Sequence, residues 1–176
     1  MKKAAFFLLL LCSLFLFAGC WNRVEIEERG LVAAMGVDKE TEEGKLEVTV
    51  QIVKPGAIAT AQGGGGGTEE AVAIYTCTGY NVFDALRNLT RQTGRKLFLT
   101  EMAVLVIGED MAREGIGSVV DFMRRDHEAN MRTYILVTKG RAKEVLETKI
   151  PTDKVWAFGL SKMVKAIKAH SKAPTI

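Results

Sequence analysis

The sequence predicts an α+β fold, a mixed sheet of about five strands with helices packed on it, in the order β-β-β-α-β-α-β-α. Three observations carry that expectation. Leu46, Val48, Val50 and Ile52 alternate with Glu47, Thr49 and Gln51, the period-two signature of a half-buried strand. Ala103-Val104-Leu105-Val106-Ile107 is a continuous apolar run, as expected of a central strand covered on both faces. From Asn81 onward the apolar spacing becomes helical, and helices then alternate with strands. Such alternation suggests parallel pairs, to which the leading hairpin adds antiparallel ones.

The chain opens with Lys2 and Lys3 ahead of an apolar run from Ala4 to Ala18, which meets Gly19 and Cys20. A basic start, a short apolar core and a small-residue exit make residues 1–19 an export signal. Polarity returns at Asn22 and Arg23, which leaves the run short of the roughly 20 apolar residues of a permanent span. Phe17-Ala18-Gly19-Cys20 resembles the lipobox of bacterial lipoproteins, with Phe17 where an aliphatic residue is usual. The resemblance makes Cys20 the expected lipidation site, its thiol carrying a diacylglyceryl group. The alternative is a plain secretory signal followed by a free cysteine. One acyl chain binds a membrane only marginally, whereas two hold a domain stably.

Leu31 to Val37 reads as the first strand, leading to a turn at Asp38-Lys39. After the alternating second strand, Lys54 to Ala71 holds Pro55 and the five glycines Gly63 to Gly67. That glycine run lacks the Lys-Ser/Thr ending of a phosphate-binding loop, so a flexible hairpin excursion is expected. Val72 to Cys77 returns as the hairpin partner. Asn81 caps a helix with Val82, Phe83, Leu86 and Leu89 on its core side and Asp84, Arg87, Asn88 and Arg91 toward water. A second helix from about Glu109 buries Met111, Ile116, Val119, Val120 and Met123, interrupted by Gly115 and Gly117. Thr133 to Thr138 is a further strand, and Lys139 to Thr148 a short helix carrying Ala142, Val145 and Leu146.

Residues 20–150 thus make one domain of ordinary size. Residues 151–176 form an amphipathic helical tail in which Trp156, Leu160, Met163, Val164 and Ile167 follow helical spacing. Its expected state is weakly held, with a bare patch around Trp156 and Leu160; Lys154, Lys162, Lys165 and Lys168 fall on other sides.

Loss of Lys2 and Lys3 with the signal lowers Lys plus Arg from 24 to 22 against 21 Asp plus Glu, a net charge of about +1. No concentrated basic face marks a nucleic-acid partner. Cys12 leaves with the signal and Cys20 carries the lipid, so Cys77 has no partner for an intramolecular disulfide. It is expected as a buried small hydrophobe, the sharper alternative being a reactive thiol.

Catalytic constellations are not evident. His127 and His170 stand far apart without metal-ligand spacing, and Gly117-Ser118-Val119 lacks the second glycine of a nucleophile elbow. No cofactor or metal is expected, and the chain reads as a non-enzyme. The densest polar stretch is Arg124-Arg125-Asp126-His127-Glu128, followed by Arg132. Basic residues at a helix C-terminus are favoured by the helix dipole; a docking patch is the alternative.

Several segments resemble the C-subunit lipoproteins of spore germinant receptors, the Ger(x)C family. They are Cys20-Trp21-Asn22-Arg23-Val24-Glu25-Ile26-Glu27, Gly36-Val37-Asp38 and Gln51-Ile52-Val53-Lys54-Pro55. Val106-Ile107-Gly108-Glu109, Ala112-Arg113-Glu114-Gly115-Ile116 and Arg125-Asp126 through Arg132 follow in the same order. His127 departs from a common proline, and Glu101 stands where a histidine often precedes the apolar strand. Family members are longer, so the resemblance implies an N-terminal domain, with residues 151–176 beginning a linker. It also implies a non-catalytic subunit beside polytopic A- and B-type receptor subunits, lipid-anchored on the outer face of the spore inner membrane. The alternative function is a small ligand-binding lipoprotein of a transporter, although 176 residues hardly build two lobes around a cleft.

Overall fold

The computed structural model describes residues 29–40, 44–62, 70–149 and 153–170, with Lys3 alone ahead of them. The signal segment, Cys20 and the Gly63–Gly67 run lie outside the described residues.

Six strands and six helices are described: β1 (Arg29–Lys39), β2 (Leu46–Val53), α1 (Pro55–Gln62), β3 (Val72–Gly79), α2 (Val82–Thr93) and β4 (Lys96–Phe98), then β5 (Val104–Ile107), α3 (Glu109–Glu114), α4 (Gly117–Arg125), β6 (Tyr134–Val137), α5 (Ala142–Glu147) and α6 (Trp156–His170). The sheet order is β3-β2-β1-β5-β6, with β4 paired to the start of β1. β1, β2 and β3 form an antiparallel meander. β5 runs parallel to β1, and β6 parallel to β5. The two parallel joins need crossover connections, and the helical segments supply them. This is the mixed sheet that the alternation of strands and helices predicts.

Both faces are covered, and that decides most of the burial. A register shift between Val32 and Ala34 marks a bulge in β1, which puts Ala33 and Ala34 on the same side. On the first face Met35, Val37, Val48, Val50, Leu105 and Ile107 share a core with Leu86 and Leu89 of α2 and Val119 and Phe122 of α4. On the second, Ala33, Ala34, Val104 and Val106 pack with Ala142 and Leu146 of α5 and Val155, Trp156 and Ala157 around the start of α6. Burying each Val, Leu or Phe side chain contributes about 1.5–3 kcal/mol. These layers, more than helix propensity, hold six-residue helices such as α3 and α5, which alone would melt.

Several local expectations are corrected. Asp38 and Lys39 close β1 instead of forming a turn; Gly44 follows with φ 77°, in the left-handed region. Part of the 54–71 excursion is α1, which Pro55 starts without losing a hydrogen bond. Its base is closed by Lys54 N–H donating to Ala71 C=O at 2.8 Å. The helix expected from Glu109 is two helices, broken at Gly115 (φ 130°). Ile116 at that break is exposed, and Phe122 enters the core in its place. Phe83 is likewise exposed, set edge-on against Phe122 with centroids 4.7 Å apart. Cys77 packs on the first-face core yet is only half-buried. Trp156 is buried and Leu160 half-buried against the second face, so the bare patch expected there is absent.

Asn81 caps α2 as expected, its side chain accepting from Asp84 N–H at 2.9 Å. Gly94, at φ 65°, ends the helix. Tight packing also explains Gly79, because a Cβ there would lie 2.5 Å from the backbone nitrogen of Ala85 in α2.

Candidate functional site

A polar clamp around α5 gathers residues from four separate segments. β1 ends in Asp38, which is 3% exposed. Its carboxylate accepts backbone N–H bonds from Ala142 at 2.7 Å and Lys143 at 2.9 Å, at the first turn of α5. An acceptor from a distant strand therefore does the work of an N-cap side chain, since Arg141 makes no side-chain cap bond. At the other end of α5, buried Gln51 of β2 donates from Nε2 to Leu146 C=O at 2.6 Å. Gly36 lies between them, and a Cβ there would stand 3.2 Å from the Cβ of Ala142. Gly108, after β5, leaves room for the carboxylate: a Cβ would fall 2.1 Å from Asp38 Oδ1.

Above the clamp, at the carboxyl ends of β1, β5 and β6, lies an open depression of about 430 Å³ lined by Asp38, Lys39, Glu40, Asp110, Gly140 and Arg141. In sheets of this kind ligands favour that end. Here, however, both oxygens of Asp38 are committed to backbone donors, and the two lining cations pair with carboxylates at the rim. Arg141 reaches Glu47 at 2.6 Å, and Lys39 reaches Glu114 at 2.9 Å. Glu109 binds Arg113 at 2.6 Å and accepts from Gly140 N–H at 3.3 Å. The Arg113 hydrogen bond, then that backbone donor, hold the Glu109 carboxyl below its ordinary range. This geometry fixes one helix to one strand end. Among the described residues, no three His, Cys, Asp or Glu side chains converge as metal ligands.

A shallow groove of about 560 Å³ runs between α2 and α4, with Phe83, Arg87, Ser118 and Arg125 on its walls. Of the 124–132 stretch, Arg125 lines this groove, while Asp126, His127 and Glu128 line a neighbouring depression of about 340 Å³ beside Lys96. Arg124 and Arg125 occupy the last turn of α4, as the dipole argument requires. Arg125 pairs with Asp121 at 2.9 Å, and Glu128 with Lys96 at 2.6 Å. Asp126 accepts from Glu128 N–H at 2.8 Å and shapes the turn. His127, 91% exposed at its side chain, lies 3.9 Å from Glu128.

Sequence reasoning singled out Cys20, outside the described residues, and missed Asp38, Gln51 and Gly108 as a unit. One signal was available. All three belong to the segments quoted above as family-like, and nothing in a loop or a water-facing strand position would require those residue types.

Comparison with known proteins agrees with those segments. Residues 22–176 match the family described as spore germination protein N-terminal domain. Spore germination protein KC of Bacillus subtilis (strain 168) is 30% identical over 172 residues, covering 96% of this chain and 42% of that protein. Spore germination protein A3 of the same organism is 26% identical over 137 residues, covering 77% of this chain and 35% of its own length. The chain thus spans about two fifths of the curated relatives it matches. No solved structure matches it.

Proposed function

Because the chain belongs to the spore germination protein N-terminal domain family, we propose that it is a non-catalytic, lipid-anchored subunit of a spore germinant receptor. In this reading Cys20 carries the lipid and the domain sits on the outer face of the spore inner membrane. Its task is assembly or signalling of a complex with polytopic A- and B-type subunits. The observation that carries the proposal is positional. The family match begins at residue 22, two residues beyond the lipobox cysteine, so the matched domain is what the anchor would hold. The committed state of Asp38 and the paired rim charges favour a structural role over catalysis.

Fatty-acid labelling and spore-membrane fractionation test the anchor. Cys20→Ala is expected to abolish labelling and release the protein from membranes. Co-purification from detergent-solubilised spore membranes tests the partners, and two polytopic subunits are the expected company. Undiminished labelling of Cys20→Ala would overturn the anchor. Recovery with a permease and an ATPase instead would overturn the receptor reading.

A further inference from the structure

The apolar stripe of α6 outruns the sheet that covers it. Trp156 is buried and Leu160 half-buried, while Met163 and Ile167, next on the same stripe, are 48% and 61% exposed. Side chains at this spacing share one helix face. The helix packs on β5 and β1, and its far end lies at the amino end of β6, with Lys168 Nζ 5.6 Å from the ring centroid of Tyr134. Two and three residues before Tyr134, in the loop leading into β6, stand Arg132 and Met131, the latter 76% exposed. Exposed apolar and basic side chains are therefore grouped at one pole of the sheet.

Along α6 the charge has one sign. Trp156–His170 contains Lys162, Lys165 and Lys168 and no Asp or Glu. On a helical wheel Lys162 and Lys168 flank the Met163–Ile167 stripe on its two sides. Lys162 meets Asp153 at 2.5 Å, which leaves the net charge of the region positive. A helix with an apolar stripe bordered by lysines suits the boundary between lipid headgroups and acyl chains.

The position of the pole agrees. β1 enters the sheet at Arg29, at the amino ends of the parallel strands, where β4 pairs with it and Arg29 stacks 4.6 Å over Phe98. Arg29 stands nine positions after Cys20, and nine residue steps reach at most about 30 Å. A lipid on Cys20 would tether this end of the sheet directly, and the Asp38 end only through the length of β1.

We propose that the amino-end pole of the sheet, with the outer half of α6, docks on an anionic phospholipid surface, Met163 and Ile167 entering the headgroup boundary while Lys162 and Lys168 meet lipid phosphates. The orientation argument rests on the tether proposed above; the surface itself can be tested without it.

The test uses residues 20–176 with Cys20→Ser, which keep every packed element beginning at Arg29 and carry no acyl chain. Sedimentation with phosphatidylcholine vesicles is compared with sedimentation with mixed phosphatidylcholine–phosphatidylglycerol vesicles. Binding is expected to the mixed vesicles alone, and to fall as salt rises. Each basic side chain near such a surface strengthens partitioning roughly five-fold, so Lys162→Gln with Lys168→Gln should weaken it about 25-fold. Met163→Ser with Ile167→Ser should weaken it by about ten-fold or more. Both pairs are exposed, and an unchanged unfolding curve will show that the fold is intact. Lys39→Gln with Lys139→Gln, at the opposite end of the sheet, should leave binding within about two-fold. Absence of binding, equal binding to neutral vesicles, or an equal loss from the Lys39/Lys139 pair would each overturn the proposal. None of these results bears on lipidation, which stands or falls on the labelling of Cys20.

Discussion

Replacing Asp38 with alanine removes both acceptors from the first turn of α5. The Ala142 N–H is fully buried and the Lys143 N–H partly so, so water can rescue the second more readily than the first. A buried donor left without a partner costs about 1–3 kcal/mol, and loss of a helix cap about 1 kcal/mol. The two overlap, because one of the lost bonds is the cap, and the expected destabilisation is about 1–3 kcal/mol. Asp38→Asn keeps one acceptor but turns an amide N–H toward the other donor, so about half that loss is expected. Urea unfolding followed by circular dichroism measures both. Gly108→Ala adds a sharper arm. Its Cβ would overlap Asp38 Oδ1 at 2.1 Å, a clash that disappears once the carboxylate is gone. In a double-mutant cycle, Gly108→Ala should therefore cost at least about 1 kcal/mol less beside Asp38→Ala than in the wild type. An Asp38→Ala loss below about 0.5 kcal/mol, or additive effects in the cycle, would refute the clamp.

Gly79→Ala drives a Cβ into the α2 backbone at 2.5 Å and should cost about 1–3 kcal/mol, read as a lowered melting temperature. Asn81→Ala removes the Asp84 N–H bond and should cost about 1 kcal/mol in the same assay. The Glu109 carboxyl is held below its ordinary value in the folded chain, first by Arg113 and then by Gly140 N–H. Its contribution is therefore present above the unfolded-state value and lost as pH falls through the lower folded one. Glu109→Gln should accordingly be less stable than wild type near pH 6 and indistinguishable from it at about pH 2. A difference that persists unchanged in acid would contradict this.

The elements themselves were legible because each rests on local chemistry. The β2 alternation, the Val104–Ile107 run, the Asn81 cap and the three later helices all write their periodicity directly into the chain. Boundaries failed where a contact distant in sequence overrode a local preference. Asp38 looks like a turn residue, yet two N–H groups about 100 positions away reward its burial at a strand end. Gln51 occupies what alternation marks as a water-facing position; α5 covers that face, so Thr49 and Gln51 are buried. β4 is three residues long and exists through its pairing with the start of β1. By itself the sequence determined the mixed sheet, its principal helices and the family resemblance. Which side of α6 is covered, how three distant segments close on α5, and which pole gathers the exposed methionines and lysines were decided by tertiary structure. The physical reason is that burial and close approach depend on neighbours in space, and local periodicity specifies a face without specifying what will lie against it.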